Sequence, residues 1–157
     1  MLANRTWKSA VALLLALSSL AASSTTAQVT AGQYDEAVNR AIRLLPRRPK
    51  KVLVVDASRA IPPVDAHGRR VEAFVTHGDP TVYLVAQGDM LQHAIKAPGI
   101  FDYAVAATIW HEMAHLDGAD EQEAQRREEA LWEKYVLQHR VDRARGLGYL
   151  ALLRARR

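Results

Sequence analysis

The chain contains no cysteine at all among its 157 residues. That absence excludes a disulfide framework and a lipid-modified N-terminal cysteine, so stability has to come from core packing and from any metal the chain binds. No internal repeat, low-complexity tract or obvious linker interrupts the region after residue 27, which favours one domain with a real core. Nor is there an apolar run of the roughly 20 residues that a bilayer-spanning helix needs. Aromatic residues are not interleaved with the basic clusters at Pro46 to Lys51 and in the C-terminal tail, so those clusters read as solvated surface and not as a nucleic-acid patch.

What is present begins with a leader. Met1 to Gln28 has a basic head with Arg5 and Lys8, a short apolar stretch from about Ala10 to Ala22, and then small polar residues. This is the build of a secretory signal peptide, with cleavage expected after Ala27 and with Thr25 and Ala27 as the small residues flanking the cut. Residues 28–157 then form the mature domain, exported to the periplasm or medium and without stable insertion in the membrane. The formal charge of +4 falls to +2 once Arg5 and Lys8 leave.

Hydrophobic spacing orders the rest. Gln33 to Leu45 places Tyr34, Val38, Ala41, Ile42 and Leu45 on one helical face, and Pro46 ends it. Lys51 to Ala57 reads as a buried strand. Ser58 to Arg70, with two prolines and a glycine, reads as a loop. Val71 to His77 and Thr81 to Gln87 read as a hairpin. Asp89 is expected to cap a short helix, Phe101 to Leu116 an alanine-rich buried helix, and Asp120 to about Arg143 a long helix with Asp120 and Glu123 as a capping pair. A last short helix is expected after Gly146 and Gly148. The order predicts an α+β domain in which a small three-strand sheet packs against the helices.

The buried helix contains His111-Glu112-Met113-Ala114-His115, and polar groups in such a helix need compensation. Burying one without a partner costs roughly 2–7 kcal/mol. Residues at i and i+4 share a helical face, so His111 and His115 can each offer a ring nitrogen to one zinc ion. Glu112, offset by about 100°, stands beside the metal as a general base. With six histidines and eight glutamates in the chain, an accidental HExxH is expected about once in a hundred such sequences.

A third ligand has to follow the turn at Leu116 to Asp120. Glu121 and Glu128 share one face of the next helix. Glu121, just across the turn from His115, is the expected ligand and Glu128 the competitor. Gln125 is placed to hydrogen-bond a ligand, whereas Glu123 and Glu129 read as solvated charges. His67, His77, His93 and His139 read as solvated or structural, and Trp110 and Trp132 as packing residues.

"HEMAH" followed by "DEQEA" resembles the zincin metallopeptidases and, within them, the gluzincins, in which a glutamate on the helix after HExxH completes the site. The resemblance covers about Val52 to Val136, and the short interval from His115 to Glu121 is similar to that of minimal, single-domain members. It implies zinc-dependent hydrolysis of a peptide or protein substrate, with the strand at Thr81 to Gln87 antiparallel to the substrate backbone. No motif fixes the tyrosine or histidine that stabilises the oxyanion in the family; Tyr135, His139 and Tyr149 are the candidates. Two other functions compete: an envelope domain that keeps zinc for folding or for a partner, and a basic binding protein whose HExxH is accidental.

Overall fold

A computed structural model of the protein describes residues 29–56 and 71–155. The expected leader and the loop at 58–70 lie outside the described residues. Helix α1 (Ala31–Ile42) opens where the Gln33 side chain accepts the Thr30 N–H at 2.8 Å. Its expected apolar face is buried: Val38 and Ala41 enter the core, with Tyr34, Ile42 and Leu45 packed against it.

Three strands follow, β1 (Lys51–Val55), β2 (Ala73–Phe74) and β3 (Thr81–Val85), in the order β1-β3-β2. β2 and β3 form the expected antiparallel hairpin, while β1 runs parallel to β3, so the sheet is mixed. β1 is not fully buried as its β-branched run suggests. It pairs only with β3 among the described residues and exposes Lys51 and Leu53, while β3 in the centre is the covered strand. That order also bears on substrate. At Tyr83 and Leu84, β3 is paired on both sides, so its middle has no free edge for a substrate backbone.

Helix α2 (Asp89–Lys96) starts at the expected cap residue and not after it. Asp89 is its first residue, and Glu72 takes the capping role, its carboxylate accepting the N–H groups of Asp89 and Met90 at 3.1 and 3.2 Å. Helix α3 (Ile100–Leu116) is the centre of the molecule, packed on α1, α2, α4 (Glu121–Leu137) and the sheet. Val105, Ala106, Ile109 and Met113 face α1, α2 and the sheet, and Ala104 and Ala107 face α4 and α5 (Arg143–Arg154). Its all-round apolar composition has this cause: two core clusters meet on it, and alanines let the neighbouring helices approach.

Asp120 caps α4 as expected, accepting the Glu123 N–H at 2.7 Å. The Glu123 carboxylate turns to Arg126 and Arg127 instead of completing a capping box. α4 stops at Leu137, six residues short of the expected end, and α5 runs through both glycines. His139 at φ 55° breaks the helix, and Asp142 restarts it by accepting the Arg145 N–H. Gly146 is needed for packing: a Cβ there would lie 2.5 Å from a Val136 methyl, and its carbonyl accepts the buried Trp132 indole N–H at 2.8 Å. The chain is thus α+β, with five helices and one small mixed sheet among the described residues.

Candidate metal centre

His111 and His115 lie on the last turns of α3, facing the start of α4. Their Nε2 atoms are 3.2 Å apart, and Glu121 Oε2 is 3.6 Å from the first and 3.2 Å from the second. The opposite ring nitrogens define the tautomers. His115 Nδ1 is 3.0 Å from the Ala119 carbonyl oxygen, which can only accept, and His111 Nδ1 is 3.1 Å from a Glu128 carboxylate oxygen. Both Nδ1 atoms therefore carry hydrogen, and in neutral rings both Nε2 atoms present lone pairs.

Two lone pairs and a carboxylate oxygen at this separation repel one another unless a metal ion or a proton on one of the rings lies between them. Tetrahedral ligands at ~2.0–2.1 Å from a zinc ion are about 3.3–3.4 Å apart, the spacing found here. The three residues can hold a metal ion. Two imidazoles and one carboxylate also form the donor set of open, catalytic zinc sites, in which a fourth position is left for water or substrate. The Glu121 side chain is 72% exposed and those of the histidines 14% and 23%, so the triad opens to solvent on the Glu121 side.

The turn between the helices sets this geometry. Gly118 takes φ 89°, and the N–H of Ala119 returns to the Ala114 carbonyl at 2.9 Å while that of Gly118 returns to His115 at 2.9 Å. This is a Schellman ending to α3. It also aims the Ala119 carbonyl at His115 Nδ1, so one turn both ends the helix and orients an imidazole of the triad. Asp117 braces it, held by Arg47 at 2.6 Å and approached by Arg127 at 3.7 Å.

Glu112 is not one of the three converging donors, as its offset on the helix requires. It is buried, and burial pushes its carboxyl above the ordinary range against the opposing pull of His111 and His115. For His111 burial works against the proton, but the hydrogen bond and charge of Glu128, with Glu112 and Glu121, outweigh it and raise the imidazole above its usual value. Glu123, paired with Arg127 and Arg126, is held below the ordinary carboxylate range.

The other expected residues sort cleanly. Glu128 is buried and meets His111 from behind, on the ring side away from Glu121. Gln125 does not serve the site as expected: its amide donates to the Leu153 carbonyl at 2.7 Å, tying α4 to α5. Glu129 is not a solvated charge but buried, 3.5 Å from Arg154. Two of the three oxyanion candidates lie away from the triad. Tyr135 is fourteen residues beyond Glu121, about 21 Å along the axis, and donates to the Leu44 carbonyl. Burial keeps its phenol well above the usual range. His139 is likewise at the far end of α4, whereas Tyr149 packs on Trp132 with its hydroxyl 3.5 Å from Met90 sulfur, which the hydroxyl of Thr108, one turn before Glu112, also approaches at 3.6 Å. His93 stacks on Phe101, a structural role as expected.

Sequence reasoning missed Ala119, whose contribution is a main-chain oxygen; the signal for it was the glycine before it in "LDGAD". It also missed a separate groove of about 420 Å³ at the end of α3, lined by Arg47, Arg48, Lys50, Asp79, Met113 and Asp117 and holding none of the triad. Compared with protein-family models, curated proteins and solved structures, the chain finds no match in any of the three, and the reading of the site rests on its own geometry.

Proposed function

We propose that the protein is a zinc-dependent peptidase of zincin type, with His111, His115 and Glu121 as the metal ligands and Glu112 as general base. The observation that carries this is the convergence of two Nε2 lone pairs and the Glu121 oxygen at 3.2 to 3.6 Å, with a buried carboxylate on the residue next to the first ligand. When bound, zinc supplies Lewis acidity, making a nearby water more acidic and polarising a substrate carbonyl.

The chain's own groups do the remainder. Glu128 and the Ala119 carbonyl hold the imidazoles in the tautomers that leave Nε2 free. The Glu112 carboxylate takes a proton from water as it attacks the scissile carbonyl and returns that proton to the departing amine; its burial raises its basicity toward neutral pH. With β3 paired on both sides at Tyr83 and Leu84, an extended substrate has to be held elsewhere than along that middle part of the strand.

The competing reading, a zinc site kept for folding or partner binding, shares the ligands and has no use for Glu112. Elemental analysis of the purified chain tests the metal, and cleavage of casein, abolished by chelator and restored by zinc, tests the activity. Bound zinc with no cleavage of casein or of a peptide library favours the structural reading.

A further inference from the structure

Helix α5 has its apolar residues on the wrong side as well as the right one. Leu150 and Leu153 are buried against α4. Yet the exposed residues of the same segment include Ala144, Leu147, Gly148, Ala151, Leu152 and Ala155, at the i, i+3, i+4, i+7, i+8, i+11 spacing of a second apolar stripe. Leu147 is 49% and Leu152 63% exposed, and Leu137, just before the turn into α5, is 78% exposed. These are three of the four exposed large hydrophobic residues among those described. A helix that is apolar toward solvent is covered by something else.

The charges identify the occupant. Arg143, Arg145 and Arg154 flank the stripe, and α5 carries no carboxylate. Arg154 turns back to Glu129 and Glu133 on α4, leaving Arg143 and Arg145, among the described residues, as the cations that accompany the stripe. A second copy seated on this face, in either orientation, would set arginines against arginines. An anionic lipid surface complements them: an apolar face between arginines is the pattern of a helix lying in the plane of a headgroup layer.

We infer that α5 is a peripheral membrane-docking helix that lays Leu147 and Leu152 into the headgroup region of an anionic bilayer while Arg143 and Arg145 meet the lipid phosphates. This is surface binding, in keeping with the finding that no described helix is long and apolar enough to cross a membrane. It is independent of the metal centre.

The absence of cysteine makes the test site-specific. Leu152→Cys in the full chain provides a single thiol, which is labelled with the environment-sensitive fluorophore NBD. On vesicles of equal phosphatidylglycerol and phosphatidylcholine at low salt, its emission shifts to the blue. It stays unshifted on phosphatidylcholine alone, and the same label at Glu36→Cys on α1 does not respond to either. Arg143→Gln with Arg145→Gln lowers partitioning roughly thirty-fold, at about 1 kcal/mol per cation near the surface. Binding of the N-terminal apolar segment would carry the protein to both kinds of vesicle without shifting the α5 label. No shift on anionic vesicles overturns the inference, as does an equal shift on neutral ones. A shift that grows with protein concentration in the absence of lipid overturns it in favour of a second copy on this face.

Discussion

Glu128 Oε2 lies 3.1 Å from His111 Nδ1, on the side of the ring opposite the nitrogen that faces His115 and Glu121. The two glutamates that sequence spacing leaves as rivals thus have different tasks on one imidazole. Glu121 converges with the lone pairs, and Glu128 secures the hydrogen behind one of them. Outer partners of metal-bound histidines are typically worth 10- to 100-fold in affinity. Glu128→Gln is therefore expected to weaken zinc binding within about that range, and Glu121→Ala to weaken it more. Competition titration with a chromophoric chelator measures both, and a larger loss at Glu128 would exchange their assignments.

The Gly118 turn gives a second expectation. No atom lies within 4 Å of a Cβ built there, so Gly118→Ala meets no clash and only the strain of φ 89°. That strain costs about 1–2 kcal/mol for an L-residue. Relaxing it moves the Ala119 carbonyl away from His115 Nδ1, so zinc affinity falls together with stability. Gly148, in the interior of α5 and also with nothing within 4 Å, is the control: Gly148→Ala stabilises by about 0.5–1 kcal/mol and leaves zinc affinity unchanged. Denaturant melts of the chelated proteins with zinc titrations separate the two effects.

Much of this was legible in the chain, for reasons that can be named. Helix α3 was visible because alanine-rich, all-round apolar sequence has few other uses, and the histidines in it because buried imidazoles need a partner. The features that spacing does not show depend on contacts between distant residues. The end of α4 is not legible because the break depends on His139 adopting a positive φ and on Gly146 fitting against Val136, and neither leaves a periodic signal. The surroundings of Gln125 and Glu129 differ from the expectation because α5 packs on that side of α4, and local spacing does not show which helix returns to which face. The centrality of β3 is likewise a fact of pairing between distant segments.

Acid dependence follows from His111 and Glu112. Without metal, both have pKa values raised above 6.5 and 4.5, so the folded state binds protons more tightly than the unfolded one. Their contribution is fully present below those unfolded values and is lost as pH rises through the folded ones, so the metal-free protein loses stability from about pH 4.5 upward through the raised His111 value. Zinc acts in the opposite sense, because it needs the neutral ring. Below the His111 value, affinity falls about tenfold per pH unit for the proton displaced. The gap in melting temperature between zinc-loaded and chelated protein therefore widens with rising pH. Thermal melts in both states from pH 5 to 8 check this; a gap independent of pH would mean that His111 is not a ligand.

The mechanistic prediction rests on Glu112. Glu112→Gln keeps the shape of the side chain and removes its capacity to accept a proton. Since Glu112 is not among the converging donors, zinc affinity and fold are expected to persist. Removing the charge of a buried carboxylate even relieves a desolvation cost, so the variant is expected to be at least as stable as the parent above the raised Glu112 value. Activity should behave differently. General-base assistance contributes about 10²–10⁴-fold, or ~3–5 kcal/mol of barrier, so casein cleavage by the variant drops by that factor in kcat at equal zinc occupancy. The pairing of the two measurements is what makes the test specific. A residue that merely supported the ligands would lose zinc and activity together, whereas a proton acceptor loses only the second. If the variant cleaves as fast as the parent with zinc bound, Glu112 is not the base, and the peptidase reading of the triad fails even though the metal site stands.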